Sequence, residues 1–252
     1  MTNYVEPRSE SEWSRRAIIN VAGVLAAHVQ SLTMIGAHAV LLRTAALDAP
    51  LAPTSDGDLG VTPGLVGDAP SIEALLVEAG YEHRTTARPG LWGRAPYQDR
   101  LGNATFREKI DLLAPHGLSG TTSRSKRSVP ALQARHGKLA VGNAPGLELA
   151  VFNRSVMTIS DLVDPSLSAE IHVAEVPALI LAKGAKIAER LGEPRKWGAR
   201  QGCRRPLALD GCCGTGPDCG DDRGLPRSSR DRRRCPSERR VCTGCHRRSG
   251  QP

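Results

Sequence analysis

The sequence predicts an α+β protein in which a mixed sheet is flanked by helices. Apolar residues recur at helical spacing near the start of the chain and again over His172–Gly192, whereas the short apolar or alternating runs between them are typical of strands. Of the 252 residues, 40% are hydrophobic, which is sufficient for a globular core. Helices and strands that alternate irregularly along one chain favour the α+β or mixed α/β class.

Four segments are predicted to be helices. The first is Arg16–Ser31, and a second opens at the turn of Gly36 in "LTMIGAHAVLLRTAAL". The third begins after Ser71, a good N-cap residue, and is expected to stop at Gly80. The fourth is His172–Gly192. Between the last strands, a segment rich in Ser, Thr, Arg and Gly (117–135) is expected to be an exposed loop.

Six segments are predicted to be strands, which gives the element order α-α-β-α-β-β-β-β-β-α. No internal repeat is visible in this order. The predicted strands are Ser55–Val61, His83–Arg88, Gly90–Ala95, Ala104–Pro115, Lys138–Gly142 and Leu147–Phe152.

The positive charge of the chain, formally +8, is concentrated in its last 56 residues, Trp197–Pro252, which carry 13 arginines and 6 acidic residues. The nearly neutral body therefore gives no electrostatic argument for nucleic-acid binding. Aromatic residues make up only 3% of the chain, too few for a platform that stacks single-stranded bases. No apolar run approaches about 18 residues and the polar N-terminus does not read as a signal peptide, so we expect no membrane span and a cytoplasmic location.

The segment Trp197–Pro252 has too few large apolar residues to form a core, so the sequence predicts a disordered tail. Its Arg, Gly, Cys and Pro content is also typical of GC-rich coding DNA translated in the wrong frame. One permitted codon choice for Arg200–Gly211, shifted by one base, encodes Gly-Lys-Asp-Val-Ala-Asp followed by a plausible helix. We therefore interpret the tail as out of frame.

A metal or haem module is the alternative interpretation of the tail, which holds all seven cysteines. The stretch "CTGCH" (Cys242–His246) fits the attachment pattern of c-type haem, and four other cysteines could be zinc ligands. Irregular spacing argues against zinc, and the absence of an export signal argues against haem. A genuine basic disordered tail is the third alternative.

Two aspartates one residue apart, Asp56 and Asp58, carry the main chemical signal in the body. Residues i and i+2 of a strand point to the same face, so their carboxylates project together and repel each other unless a cation lies between them. A third carboxylate, Asp111, interrupts the apolar run of "KIDLL", and a neighbouring strand could bring it beside the pair. Oxygen ligands of this kind suit Mg²⁺, which also binds substrate phosphates.

Two further features predict a site for phosphate groups. Backbone N–H groups at the helix start of Gly36 and Ala37 can hold a triphosphate, assisted by the helix dipole. Lys183 lies among Leu179, Ile180 and Ile187 on the apolar stripe of the last predicted helix. A lysine on such a stripe either extends its ammonium group to solvent or binds an anion.

Together, "MIGAHAV", "TSDGDLGV", "KIDLL" and "PALILAKGAKIAER" resemble the minimal nucleotidyltransferase superfamily, whose pattern is a Gly-Gly or Gly-Ser turn, a helix, a D-x-D pair and a later Asp. They are most similar to the AbiE-type and MenT-type toxins of type IV toxin–antitoxin systems, over roughly Val21 to Lys196. Three residues depart from the pattern of these relatives, namely Ala37, Ala52 and Gly57. The K-D-x-x-D motif of the group is absent from the written chain, but the shifted frame supplies it as Lys-Asp-Val-Ala-Asp.

The resemblance implies transfer of a nucleoside monophosphate from an NTP, with Mg²⁺ as cofactor, a tRNA 3′ end as acceptor and a cognate antitoxin as partner. It assigns catalysis and metal binding to Asp56, Asp58 and Asp111, and nucleotide binding to Gly36, Ala37 and Lys183. Thr54 and Ser55 are candidate regulatory sites, because the antitoxin phosphorylates a hydroxyl here in some relatives. Predicted boundaries are a catalytic domain over 1–125, a segment completing the nucleotide site over 126–196, and the tail over 197–252. A small-molecule nucleotidyltransferase and a degenerate, non-catalytic relative are the alternatives.

Overall fold

The α+β class predicted from the sequence is confirmed by a computed structural model, which describes residues 5–47, 53–121 and 128–192. All of these residues belong to one compact unit. The helices in the described ranges are α1 (Glu10–Val24), α2 (Gly36–Arg43), α3 (Ile72–Glu78), α4 (Pro130–His136) and α5 (Val176–Gly192). The strands are β1 (Leu32–Ile35), β2 (Gly57–Val61), β3 (Glu82–His83), β4 (Leu91–Gln98), β5 (Ala104–Pro115), β6 (Gly142–Ala144), β7 (Arg154–Ser160) and β8 (Ser168–Ala174).

The eight strands form one mixed sheet with the order β3-β4-β5-β2-β1-β8-β7, and β6 pairs with β5. Three pairs are parallel, namely β1 with β8, β2 with β5, and β5 with β6. The other pairs are antiparallel. The long strand β5 therefore carries β2 on one edge and β4 followed by β6 on the other. Strands from before and after residue 125 belong to this single sheet.

Helix α1 lies across the sheet and contacts β2 and β5. It begins with a capping box, in which the Ser9 hydroxyl accepts from the Glu12 N–H and the Glu12 carboxylate accepts from the Ser9 N–H. The helix passes so close to β2 that a Cβ at Gly57 would lie 2.6 Å from Cγ1 of Ile18 and 2.9 Å from the carbonyl oxygen of Ser14. This contact explains why a glycine, rather than a bulky apolar residue, separates the two aspartates.

A buried ion pair fixes α1 to the end of β7. The Arg16 guanidinium donates from Nε to Oδ2 of Asp161 at 2.6 Å and from Nη2 to Oδ1 at 2.8 Å. Burial by itself raises the pKa of Asp161, but hydrogen bonds from Arg16 and from the N–H groups of Val163 and Asp164 outweigh it and hold the pKa below its usual value. Removing one partner of such a pair leaves an uncompensated buried charge.

Several predicted elements differ from the structure near the start of the chain and beyond β2. The first helix begins at Glu10 because of its capping box, and its predicted end is a 3₁₀ segment, Ala26–Ser31. Strand β1, which the sequence analysis assigned to a turn, is completely buried. The predicted strand His83–Arg88 is wrong beyond His83: the strand ends there and a bend follows at Arg84. The side chain of Arg84 bonds the carboxylates of Asp56 and Asp111.

Further differences lie after β5. Pro130 starts the short helix α4 inside the predicted loop, and Leu147–Phe152 forms a 3₁₀ turn over Glu148–Val151 instead of a strand. Of the predicted strand Lys138–Gly142, only the last residue, Gly142, belongs to a strand, β6. The last predicted helix is confirmed from Val176, but the residues before Glu175 belong to β8, which was missed together with β7. The tail, with its proposed frameshift and its haem and zinc alternatives, lies outside the described residues. In the described ranges, no helix combines the length and hydrophobicity needed to cross a bilayer.

Candidate functional site

The strand register brings the three predicted carboxylates together at one edge of the sheet. Asp58 of β2 is the register partner of Ile35, the last residue of β1, and on its other side it is the partner of Asp111 on β5. Asp56 lies just before β2, two residues from Asp58. A parallel β2–β5 pair therefore places Asp111 beside the D-x-D pair, as the sequence analysis required.

The start of helix α2 closes one side of this carboxylate group. Gly36 has a φ of +69°, which strongly favours glycine, and a Cβ there would overlap the carboxyl group of Asp58. Helix α2 has no side-chain cap, in contrast to α1 and α3, which Ser9 and Ser71 cap. Ala37 is exposed in the first turn. The N-terminal end of α2 and its dipole thus lie directly beside the carboxylates.

Arg84 is the functional residue that the sequence analysis missed. Its Nη1 donates to Oδ1 of Asp56 at 2.9 Å, and its Nη2 donates a short hydrogen bond to Oδ1 of Asp111. The side chain is 18% exposed, and its Nε is buried without a hydrogen-bond partner in the described part of the chain. No motif marks this residue, but three converging carboxylates require a cation, and a search for basic residues just before β4 would have found it.

Burial of the carboxylates raises the pKa of two of them. Desolvation raises the pKa of Asp58 to about 6. The positive charge of Lys186 opposes this increase, and the negative charge of Asp56 adds to it. Desolvation raises the pKa of Asp111 to about 7, against the charge of Arg84, and the other two aspartates act in the same direction as desolvation. The cations among the described residues therefore do not fully offset the burial of this negative charge.

Basic side chains from helix α5 and from the bend before β4 surround the carboxylates. Lys186 lowers the pKa of Asp58 more strongly than Lys183 does, and Arg88 lowers the pKa of Asp111. The sequence analysis selected Lys183 and missed Lys186, although residues three apart on a helix share a face. Both lysines are exposed, so the site combines three acidic groups with a basic rim that a polyanion can contact.

The apolar stripe that singled out Lys183 is covered on one side only. Leu179 is buried, but Ile180 and Ile187 are 67% and 48% exposed. Among the described residues, α5 packs against α2 and the 3₁₀ turn of 148–151. In the described structure the apolar stripe around Lys183 is therefore only partly buried. The charge of Lys183 lowers the pKa of Asp58, which supports the choice of Lys183 as a site residue.

The donor chemistry fits Mg²⁺, but the present arrangement is not a ready metal site. Three carboxylates at a sheet edge are hard oxygen donors of the kind that Mg²⁺ prefers. As they stand, however, no three His, Cys, Asp or Glu side chains of the described ranges are grouped to hold a metal ion. The guanidinium of Arg84 lies between Asp56 and Asp111, where a cation would bind. Metal binding at this site consequently requires Arg84 to move.

The remaining candidate residues lie beside the site. The Thr54 hydroxyl donates to the carbonyl oxygen of Asp56 at 3.1 Å, so it shapes the loop that carries this aspartate, and Ser55 is partly buried. His38 is interior: its Nε2 lies 2.7 Å from the Ser14 hydroxyl, and its Nδ1 accepts from Nε of Arg15 at 3.3 Å. Both ring nitrogens are thus engaged, and His38 has a structural position on α2.

Comparison with known proteins adds no relative to this description. No protein-family model matches the chain, and no match was found among curated proteins or solved structures. The chemistry of the chain must therefore be inferred from its own residues.

Proposed function

We propose that the chain is a nucleotidyltransferase that binds an NTP with Mg²⁺ at the carboxylate edge of the sheet. The observation that carries this proposal is the convergence of Asp56, Asp58 and Asp111, set by the β2–β5 register, beside the uncapped start of α2. Acidic groups next to a helix N-terminus and a basic rim form a site with separate places for a cation and for phosphates.

The proposed reaction is an in-line displacement at the α-phosphorus of the NTP. An acceptor hydroxyl oxygen forms a bond to this phosphorus, the bond to the bridging oxygen of the leaving pyrophosphate breaks, and Asp111 accepts the proton of the hydroxyl. Bound Mg²⁺ supplies charge neutralisation at the phosphate oxygens. Asp56 and Asp58 would hold the cation, and Asp111, whose pKa desolvation raises to about 7, would act as the general base.

The phosphates beyond the reacting one would lie between α2 and α5. The N–H groups of Gly36 and Ala37 point along the helix axis, where the dipole favours an anion. Lys183 and Lys186 extend from α5 towards Asp58 and can contact the β- and γ-phosphates. Such contacts hold the pyrophosphate group as it leaves.

The acceptor and the biological role follow only from the motif resemblance. On that basis we propose a toxin of a toxin–antitoxin pair, with a tRNA 3′ end as acceptor and a cognate antitoxin that modifies Thr54 or Ser55. A small hydroxyl-bearing molecule of the aminoglycoside class is the alternative acceptor. Incubation with a labelled NTP and either tRNA or such a small molecule distinguishes these acceptors by the product that carries the label.

A non-catalytic descendant is the second candidate function, and the position of Arg84 favours it. A guanidinium that bonds two of the three carboxylates would block catalysis if it stayed there permanently. In that case the fold would remain but the chain would bind neither metal nor NTP. The two candidates therefore differ in a simple binding experiment.

The test is isothermal titration of the full chain with an NTP, with and without Mg²⁺. We expect binding that requires Mg²⁺ and is lost in Asp56→Ala and Asp58→Ala. Asp68→Ala is the matched control, because Asp68 also pairs with an arginine, Arg135, but on an exposed surface. Binding that is equal in both site variants and the control would refute the metal assignment. The loss of turnover in Asp111→Asn should be larger than its loss of folding stability accounts for.

A further inference from the structure

Arg84 differs from Arg16, a buried structural arginine, in how its donors are used. Arg16, the buried partner of Asp161, uses both Nε and Nη2 on one carboxylate. Arg84 instead divides two terminal nitrogens between two carboxylates on different strands, and its buried Nε has no partner among the described residues. An unpaired buried N–H carries a free-energy penalty, so this geometry leaves a donor available for another anion.

The backbone around Arg84 is held in place, and the guanidinium is joined to it by a long side chain. The Arg84 N–H donates to the carbonyl oxygen of Leu91 at 2.9 Å, which ties the start of the bend to β4. The guanidinium lies at the end of a long side chain, so rotation about its own bonds can move it from the carboxylates without a change in the sheet. The carboxylates themselves are fixed by strand register.

We propose that Arg84 is an internal counter-ion that Mg²⁺ displaces from Asp56 and Asp111, and that the released guanidinium then binds the polyphosphate of the NTP. This inference rests on the proposed function. Guanidinium groups match phosphate oxygens in a bidentate geometry, and the unpaired Nε–H supplies one of the two donors for it. The same residue thus stabilises three crowded carboxylates before binding and contacts the substrate afterwards.

One consequence is coupling between metal and nucleotide. The metal alone must displace a guanidinium that then has no anion to bind, whereas the metal together with an NTP provides one. Each ligand should therefore tighten the binding of the other. Thermodynamic linkage requires that Mg²⁺ increase the NTP affinity by the same factor as the NTP increases the Mg²⁺ affinity. Direct contact between the metal and the phosphates couples the two ligands as well, so the role of Arg84 is measured by the part of the coupling that Arg84→Met removes.

The experiment measures Mn²⁺ binding by electron paramagnetic resonance, without nucleotide, and then NTP binding at saturating Mn²⁺. For Arg84→Met we expect Mn²⁺ affinity to increase at least about tenfold, because the competing cation is gone. We expect NTP affinity to decrease by about 10- to 150-fold, because a charge-assisted hydrogen bond is lost. The coupling between the two ligands should fall in parallel.

Two control variants separate displacement from a general loss of positive charge. Lys186→Met removes a charge that acts on Asp58 without lying between the carboxylates, so its Mn²⁺ affinity should increase clearly less than that of Arg84→Met. Arg135→Met removes an arginine from an exposed pair with Asp68 and should change neither affinity. If Arg84→Met does not fold, Arg84→Gln gives the same measurement, because its amide group can still donate a hydrogen bond but carries no positive charge.

The outcomes distinguish this inference from the proposed function. Equal Mn²⁺ affinity in the wild type and Arg84→Met would overturn the counter-ion role while leaving the metal site intact. Tighter Mn²⁺ binding with unchanged NTP affinity would overturn the phosphate contact. If the wild type and the variant both bind no Mn²⁺, the proposed function itself fails, and the inference fails with it.

Discussion

The carboxyl group of Asp58 occupies the space where a side chain at Gly36 would begin. This contact joins the end of β1 to β2 directly at the candidate site, because Ile35 and Asp58 are register partners. The glycine of the turn is thus required by a neighbouring carboxylate as well as by its own backbone conformation. The contact also orients Asp58 relative to the first turn of α2.

Gly36→Ala should disrupt the site more than the fold. A positive φ disfavours alanine by about 1–2 kcal/mol, and the added methyl group must push the Asp58 carboxylate away. We expect a measurable loss in the free energy of unfolding and the loss of NTP binding, monitored by chemical denaturation and by titration calorimetry.

Gly23→Ala is the matched control for this substitution. Gly23 lies within α1, and a Cβ there meets no atom within 4 Å. Alanine is favoured over glycine in helices by about 1 kcal/mol, so stability should be kept or increased and NTP binding unchanged. Normal NTP binding by Gly36→Ala would contradict the orientation of Asp58 described above.

The two lysines of α5 should contribute unequally to nucleotide binding. Because Lys186 acts more strongly on Asp58 than Lys183 does, Lys186→Met should lower NTP affinity more than Lys183→Met. Loss of one charge-assisted hydrogen bond corresponds to about 10- to 150-fold in affinity. Lys138→Met, at an exposed position in another part of the chain, should bind like the wild type. The reverse order of the two α5 variants would favour the original selection of Lys183.

The exposed apolar side of α5 predicts that restoring the C-terminal reading frame stabilises the protein. Large apolar residues along this helix are exposed among the described residues, namely Val176, Ile180, Leu181, Ile187 and Leu191. A frame-restored protein, which gains the Lys-Asp-Val-Ala-Asp helix, should cover this surface, melt at a higher temperature and bind less of a dye that reports exposed apolar surface. The gain should also appear as stronger NTP binding, because in the family that the chain resembles this motif follows the helix whose lysine contacts the triphosphate.

The comparison needs three proteins: the chain as written, the chain ending after Lys196, and the frame-restored chain. The first two should melt at the same temperature, because the written tail offers few apolar residues for packing. If the written chain is the most stable of the three and contains stoichiometric zinc or haem, the frameshift interpretation is wrong. Elemental analysis and absorption spectra give that answer independently of stability.

The buried ring of His38 predicts a loss of stability in mild acid. Burial, followed by the nearby charge of Arg15, lowers the pKa of His38 from 6.5 to about 3, so the folded protein keeps the ring neutral while the unfolded chain binds a proton. The contribution of His38 to the free energy of unfolding should therefore decrease as the pH falls through 6.5, by about 1.4 kcal/mol between pH 7.5 and 5.5, whereas the raised pKa values of Asp58 and Asp111 act in the opposite direction. Burial also lowers the pKa of His136 and His172, which act in the same direction.

His38→Gln isolates this contribution, because its amide does not titrate. Denaturation curves at a series of pH values should show that the free energy of unfolding of this variant, relative to that of the wild type, increases as the pH falls from 7.5 to 5.5. His116→Gln, which leaves the His38 ring in place, should keep the wild-type slope. A steep slope in His38→Gln would mean that other groups control the acid response.

The sequence was enough to predict elements that are marked by a residue pattern or a capping residue of their own. Strand β5 matches the predicted Ala104–Pro115 at both ends, and Ser71 caps α3 as expected. Strands β7 and β8 were missed because they are half-exposed and polar along one face, so their pairing, rather than their composition, determines their conformation. The four-residue strand β1 is too short for a periodic pattern.

The carboxylates of the site were predictable, but the cations around them were not. Asp58 and Asp111 interrupt apolar strands and Asp56 lies two residues before Asp58, so their chemistry is visible in the sequence. Arg84 lies in a bend with no repeating pattern, and only the tertiary structure shows that it reaches two strands. Lys186 was overlooked because the side of α5 that faces Asp58 depends on how the helix packs.

The parallel pair of β1 and β8 joins residues 32–35 to residues 168–174. A ribosome adds about 5–20 residues per second, so a central strand of this sheet has one open edge for roughly 7 to 27 seconds during synthesis. Unpaired strand edges can pair with other chains. Translation that stops between β2 and β8 would release a fragment whose most hydrophobic strand is a template for aggregation.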